Sequence, residues 1–256
     1  MRKKRPFRGG LSLLVLLFIV LCLMRAVPKQ ETESLKEPRQ VVAAYAKKTG
    51  RDLSEWPESL LQLLERNPET QDFVLSYPKE HDRSHDVDLS EYANAKSVPL
   101  FLQWDKRWGY LPYGKDMAAL TACGPVSLSM VAVYLTGDTT LSPDRLIAFA
   151  LEEGYCSPGN GSSWTLISEG AKKLGLKATE LPLVKKRIID HLAVGDPVIC
   201  VMGPGDFTTT GHFIVFTGLE DGLLCVNDPN SRKNSEKRWA FEDISDQIRN
   251  LWVITK

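Results

Sequence analysis

The spacing of apolar residues changes along this chain, and the change limits the folds open to it. Up to about residue 175, apolar side chains recur at helical spacing, as they do over residues 125–135. Beyond residue 196, short apolar runs typical of strands cover residues 197–202, 212–217, 223–227 and 251–254. A helical part followed by an antiparallel sheet predicts an α+β fold.

The N-terminus combines positive charge with an apolar run. Basic residues cluster at positions 2–8, and residues 9–24 carry no charge. This pattern is typical of a secretory signal or an uncleaved anchor. As a helix the run spans about 24 Å against a hydrocarbon core of about 30 Å, and no small-x-small cleavage site follows it. We predict a single-pass transmembrane anchor with its basic end in the cytoplasm and the remainder extracytoplasmic. Secretion after signal cleavage is the alternative.

Three regions follow from these patterns. Residues 1–27 form the basic segment plus anchor, residues 28–97 a stalk with a small helical prelude and a polar linker, and residues 98–256 the main domain. The last helix of the prelude is expected to end at Pro78. The short helices bury little apolar surface alone, so they are expected to pack on the main domain, and a partner-binding module remains an alternative. Residues 79–96 are predicted to be a solvated linker.

Charge and cysteine content exclude several classes of function. Lys+Arg 32 balances Asp+Glu 32, so no global field attracts nucleic acid. The chain has no CxxC motif and no Cys/His cluster with zinc spacing, so neither a metal nor another cofactor is predicted. Cys200 and Cys225 lie in strand-like runs, as core residues or as partners in a disulfide between neighbouring strands.

Cys123 is a candidate nucleophile. It precedes Gly124 and Pro125 at the start of an apolar helical run, and proline suits the first turn of a helix. Unpaired amides and the positive end of the helix dipole stabilise a thiolate at such a position. A buried structural thiol is the alternative at this stage.

His212 and Asp228 flank a predicted β-hairpin. The turn signal Glu220-Asp221-Gly222 pairs the strand that begins at His212 with the strand that ends before Asp228. Pairing outward from the turn places Asp228 within about two residues of His212. A carboxylate there fixes the imidazole tautomer and supports its charged form, so with Cys123 the set fits a nucleophile, base and orienting group.

Two further stretches surround this set. Residues 98–102 are predicted to be a short strand that delivers Gln103, which is followed by Trp104 and Trp108 as core or groove-wall residues. The loop over residues 154–163, which contains Cys156 and Asn160, either borders the substrate cleft or is a plain surface loop.

Four motifs in order give the second half a family resemblance. They are QWDKRW at residues 103–108, CGP-x-SL-x-M at 123–130, GHF at 211–213 and NDP at 227–229. Together they resemble the C39-like cysteine peptidases of the papain-like fold, over about residues 98–256.

The resemblance implies a role for each matching residue. Cys123 would be the nucleophile, His212 the general base and acid, and Asp228 the group that orients His212. Gln103 would donate its side-chain amide to the oxyanion hole. Asn227 is a second candidate for the orienting role, and the alternation of faces along the strand favours Asp228.

The sequence therefore predicts a membrane-anchored, extracytoplasmic cysteine peptidase that cleaves peptide or isopeptide bonds. Its substrate would be a peptide, a protein or a cell-wall peptide. The alternative is a catalytically silent surface module that holds a partner in the same cleft or through residues 38–78.

Overall fold

The computed structural model describes residues 38–157 and 161–256. The predicted anchor at residues 9–24, the start of the stalk and Asn160 lie outside the described residues. Over the ranges that are described, no helix combines the length and the apolar character needed to span a bilayer.

A six-stranded antiparallel sheet forms the centre of the main domain. Its strand order is β5-β10-β6-β7-β8-β9. The strands are β5 (Lys177–Glu180), β6 (Val198–Met202), β7 (His212–Glu220), β8 (Leu223–Asn227), β9 (Arg238–Trp239) and β10 (Ile248–Thr255). Two short hairpins join β1 (Pro112–Tyr113) to β2 (Asp116–Met117) and β3 (Cys156–Ser157) to β4 (Gly161–Ser162). The four strand runs predicted beyond residue 196 all lie in the central sheet, whereas the short β5 and β9 were not foreseen.

The sheet is covered on both faces, which explains its unbroken apolar strands. On β6, Ile199 and Val201 face one core and Val198, Cys200 and Met202 face the other, as the period of two requires. The first core is shared with the helix that begins at Cys123, and the second with the helix over residues 185–193.

Among the described residues, seven of the ten helices precede β5, the first strand of the central sheet. They are α1 (Pro38–Thr49), α2 (Glu58–Arg66), α3 (Gln71–Glu80), α4 (Ala118–Thr121), α5 (Cys123–Thr136), α6 (Pro143–Glu152), α7 (Ala171–Lys173), α8 (Lys185–Ala193), α9 (Arg232–Glu236) and α10 (Phe241–Ile244). α5 is followed by Gly137, whose left-handed backbone conformation terminates the helix. Helices before an antiparallel sheet confirm the predicted α+β class.

The hairpin between β7 and β8 also matches its prediction. Glu220 pairs with Leu223 across a two-residue turn in which Asp221 and Gly222 both have positive φ. This is the conformation that Asp-Gly favours in tight hairpins.

Some local predictions were wrong. Residues 98–102 are not a strand. Two of their carbonyl groups, on Val98 and Pro99, accept hydrogen bonds of 3.0 Å from Asn227 Nδ2 and not from a neighbouring strand. Residues 164–174 form a π-helical turn and the short α7 rather than one regular helix, and the helix α8 was not foreseen.

Pro78 does not end its helix, because α3 continues to Glu80. A proline leaves the carbonyl four residues earlier without its helical donor. That carbonyl, on Val74, accepts a hydrogen bond of 2.8 Å from the indole Nε1 of Trp56 instead. A distant side chain therefore stabilises the helix past its proline.

Residues 38–80, here called the helical segment, pack on the main domain as predicted. Their apolar residues, among them Leu60 and Phe73, form one core cluster with Ala119 and with the partly buried Trp104 and Tyr110 of the domain. The linker prediction for residues 79–96 is wrong at Leu89, which is buried in the first core of the domain.

Candidate active site

Cys123 is the first residue of α5. The helix residues that follow are buried, whereas Cys123 itself stays partly exposed. Its thiol therefore lies at the positive end of the helix dipole and still within reach of a substrate.

His212 begins β7 and lies opposite Met202 of β6. Its ring is buried, and Nε2 lies 2.7 Å from Oδ1 of Asp228, the residue after β8. Asn227 pairs with Val215, so the register brings Asp228 to within about two residues of His212, as the hairpin predicted. Because Asp228 holds Nε2, the nitrogen left for Cys123 is Nδ1.

The carboxylate of Asp228 has two hydrogen bonds besides its contact with His212. Oδ1 also accepts from the Asn230 amide at 2.8 Å, and Oδ2 accepts from Asn234 Nδ2 at 2.8 Å. The Asp228 amide itself donates to Ser235 Oγ at 2.9 Å. Asn234 was missed by sequence reasoning, and its only signal there is the polar run that follows Pro229.

Asn227 points elsewhere. Its amide donates to the Val98 and Pro99 carbonyls, so it fastens the segment before Gln103 to the end of β8. Neighbouring residues of a strand face opposite sides of the sheet, which separates Asn227 from Asp228. The structure does not bring Asn227 to His212.

Cys123 and His212 shift each other's pKa toward the charged forms. Burial disfavours the thiolate, but the charge of His212 and hydrogen bonds to its ring and to backbone amides outweigh burial and lower the pKa of Cys123. Burial likewise disfavours the imidazolium, yet the charges of Asp228 and Cys123 raise the pKa of His212 to about 10. The arrangement therefore favours a thiolate beside an imidazolium.

Gln103 is buried close to this group. Its backbone N–H donates to the Pro229 carbonyl at 2.7 Å, which ties Gln103 to the turn after Asp228. Side-chain Nε2 donates to the Ala119 carbonyl at 2.6 Å, and Oε1 has no partner among the described residues. A primary amide carries two N–H donors, so one remains beyond the bond to Ala119. Trp104 and Trp108 lie in packed surroundings, and Trp108 is a core residue.

The β3–β4 hairpin lies against the start of α5. A Cβ atom added to Gly124 would lie 2.6 Å from Ser162 Oγ, and that hydroxyl is 2.6 Å from the buried Tyr113 hydroxyl. Burial raises the pKa of the half-buried Cys156 thiol on the same hairpin. The described part of the 154–163 loop is thus a neighbour of Cys123 and not a remote surface loop.

Two further cysteines of the described ranges, Cys200 and Cys225, are not part of this group. Cys200 and Cys225 are both free, with β7 between their strands, so the alternative of a disulfide between them is wrong. Burial raises the pKa of Cys200 well above its usual value, as expected of an inert core thiol.

A nucleophilic thiol, a charged imidazole and an orienting carboxylate are suited to acyl transfer. Comparisons with known proteins also indicate a peptidase. The model of the Peptidase_C39 like family matches residues 95–256. No curated protein matches the chain.

Two solved structures are similar at low identity. One is the peptidase domain of Streptococcus ComA, a bi-functional ABC transporter involved in a quorum-sensing pathway: identity is 22%, coverage is 62% of this chain and 98% of that one, and the TM-score is 0.42. The other is a Bacillus anthracis protein described as a C39-like peptidase, with 18% identity, coverage of 68% and 98%, and a TM-score of 0.38. The family match covers more than half of the sequence, so this chain belongs to the Peptidase_C39 like family and is a cysteine peptidase.

Proposed function

We propose that this chain is a membrane-anchored, extracytoplasmic cysteine peptidase in which Cys123, His212 and Asp228 act as a triad. The observation that carries the triad is the 2.7 Å bond between the His212 ring and Asp228, in a ring whose charge also acts on Cys123. The lowered pKa of Cys123 and the raised pKa of His212 support a reactive ion pair at neutral pH.

The proposed reaction begins with the Cys123 thiolate. Its sulfur attacks the carbonyl carbon of a peptide or isopeptide bond and forms a tetrahedral intermediate. Donors aimed at the resulting oxyanion are the second N–H of Gln103 and the backbone N–H of Cys123. The His212 imidazolium then gives its proton to the leaving amine, and the C–N bond breaks to leave a thioester on Cys123.

Water completes the cycle. Neutral His212 takes a proton from water as its oxygen attacks the thioester, and the acid product leaves as the thiolate re-forms beside the imidazolium. Asp228 keeps the ring in the orientation that serves both steps, and its negative charge supports the charged form of the ring.

The direct test uses iodoacetamide on the full-length chain, with mass spectrometry of the peptide that contains Cys123. We expect Cys123 to be alkylated faster at neutral pH than Cys156 or Cys225, because its thiolate fraction is larger. His212→Ala should abolish this advantage. Equal labelling of the partly exposed cysteines in the wild type would contradict the triad and favour the catalytically silent binding module.

Substrate class follows from a second experiment. Wild type and Cys123→Ala are incubated with peptide libraries and with cell-wall fragments, and the products are identified by mass spectrometry. Products formed by the wild type alone would identify the substrate as a peptide, a protein or a cell-wall peptide. If neither the peptide libraries nor the cell-wall fragments give a product, cleavage of these substrates is contradicted.

The location rests on the sequence of residues 2–24, where basic residues precede an apolar run. We expect the chain to remain in washed membranes and to be degraded when protease is added to intact spheroplasts. Recovery of a shortened chain from the medium would instead support secretion after signal cleavage.

A further inference from the structure

Glu69 of the helical segment reaches the loop that follows Asp228. Its carboxylate accepts hydrogen bonds from Ser231 Oγ at 2.7 Å and from the backbone amides of Arg232 at 3.0 Å and Lys233 at 3.3 Å. Hydrogen bonds to an ionised acceptor are stronger than neutral ones. One side chain therefore fixes three consecutive residues more than 160 positions away in the sequence.

Asn67 makes a second connection to the same loop. Its Nδ2 donates to the Asn230 carbonyl at 2.6 Å, and Trp104 Nε1 donates to that carbonyl at 2.9 Å. The residues from Asn230 to Lys233 are thus held by groups outside the central sheet.

The loop in turn holds the carboxylate of Asp228. The Asn230 amide bonds Oδ1, and Asn234 Nδ2 bonds Oδ2. Asn234 is itself fixed by Ser231 Oγ, which accepts from its backbone amide at 3.1 Å while donating to Glu69. Contacts therefore run without a break from Glu69 through Ser231 and Asn234 to Asp228 and then to His212.

We propose that Glu69 is a positioning residue for the triad, acting through residues 230–234, so that the helical segment is part of the catalytic unit. This inference rests on the proposed function. Glu69 lies outside residues 95–256, the part that matches the family model, so the family motif alone does not include this support. Catalytic geometry is sensitive to displacements of about 1 Å, which can cost on the order of 10²-fold in rate.

The test measures the pH dependence of Cys123 alkylation by iodoacetamide in the full-length chain. Glu69→Ala removes every bond that Glu69 makes to the loop, whereas Glu69→Gln keeps an acceptor oxygen without the charge. Glu65→Ala is the matched control, since Glu65 is exposed on the same helical segment. We expect Glu69→Ala to lower the alkylation rate at pH 6 about tenfold and to move the midpoint of the profile to higher pH. Glu69→Gln should be intermediate, and Glu65→Ala should match the wild type.

The pH profile separates positioning from folding. A merely structural role would lower the melting temperature and the folded fraction without moving the midpoint for the chains that remain folded. If Glu69→Ala does not fold, Glu69→Gln and Ser231→Ala decide the matter, because Ser231→Ala breaks the same chain of contacts from the loop side. An unchanged midpoint in folded Glu69→Ala, or in both of these substitutes, overturns the inference.

The wild type distinguishes this failure from that of the proposed function. If wild-type Cys123 titrates like an ordinary thiol, the triad itself is overturned and the inference with it. If the wild type reacts at low pH and the variants do so equally, only the role of Glu69 is overturned.

Discussion

The pKa of His212 is raised by two residues that are close to its ring in the fold, Asp228 and Cys123. The negative charges of Asp228, which is bonded to Nε2, and of the Cys123 thiolate both favour the imidazolium. The pKa of His212 is raised and that of Cys123 is lowered, so both charged forms coexist over a wide range of pH. In the proposed mechanism the leaving amine requires the imidazolium proton, so we expect its loss to set the alkaline limit of activity.

Asp228→Asn should move that limit to lower pH. Wild-type kcat/KM is expected to fall above about pH 10, where His212 deprotonates. Removing the negative charge lowers the pKa of His212, so the alkaline limb should move down by about 1–3 pH units. Plateau activity should fall by about 10²–10⁴-fold. The control is Asp221→Asn in the exposed turn of the same hairpin, whose pH–rate profile should match the wild type. An unshifted alkaline limb in Asp228→Asn would show that another group sets the charge of His212.

Gln103→Ala tests the oxyanion donor. We expect kcat to fall by about 10²–10³-fold with little change in KM, because the lost donor acts on charge that develops in the transition state. The variant also leaves the Ala119 carbonyl without its partner, which should lower the free energy of unfolding by about 1–3 kcal/mol. The discriminating measurement is Cys123 alkylation, which should keep its wild-type pH profile. If alkylation falls in parallel with kcat, Gln103 acts by holding the site together.

At the scale of secondary-structure elements, α5 is placed by close contact with the β3–β4 hairpin. Gly124 allows this approach, because any larger side chain there meets Ser162. Ser162 in turn bonds the buried Tyr113 hydroxyl, which fixes Ser162 beside the start of α5. The position of Cys123 therefore depends on its neighbour in sequence having no side chain.

Gly124→Ala should be destabilising even though alanine has the higher helix propensity. The propensity gain is about 1 kcal/mol at most, whereas overpacking costs about 1–3 kcal/mol. Urea unfolding measures the change, and adding Ser162→Gly should recover stability beyond the sum of the single changes, as expected for residues in contact. Gly218→Ala is the control, because nothing lies within 4 Å of its added Cβ. Equal stability of Gly124→Ala and the wild type would contradict this close packing.

Over the whole molecule, the helical segment and the main domain share apolar contacts. Phe73 is buried and stacks on Tyr110 of the domain, with ring centroids 4.2 Å apart. Val42 is buried within the segment itself. Because the two parts are joined by this core and by the bonds of Asn67 and Glu69, we expect them to unfold together.

Val42→Ala tests this cooperativity from a position remote from the sheet. It should lower the free energy of unfolding by about 2 kcal/mol, and Phe73→Ala by about 3–5 kcal/mol. The probe is urea-dependent modification of Cys200, a free thiol buried in β6. Both variants should move its midpoint to lower urea, whereas Val194→Ala, at a site 75% exposed, should leave it unchanged. A midpoint that Val42→Ala does not move would mean that the segment unfolds independently.

Much of the candidate site follows from local sequence signals. The start of α5 at Cys123, the Asp221-Gly222 turn and the strands that carry His212 and lead to Asp228 all match their predictions. The reason is that helix starts, tight turns and side-chain alternation depend on residues a few positions apart.

The remainder depends on contacts between residues that are distant in sequence. α3 continues past Pro78 where Trp56 bonds the Val74 carbonyl, and residues 98–102 stay out of the sheet where Asn227 bonds the Val98 and Pro99 carbonyls. The bonds from Glu69 to the loop after Asp228 cross more than 160 residues. The sequence by itself determined the fold class and the candidate site residues, because those signals are local. Tertiary structure alone decided that Asn227 bonds the Val98 and Pro99 carbonyls and that Glu69 of the helical segment bonds the loop after Asp228, because packing brings those partners together and no local pattern records it.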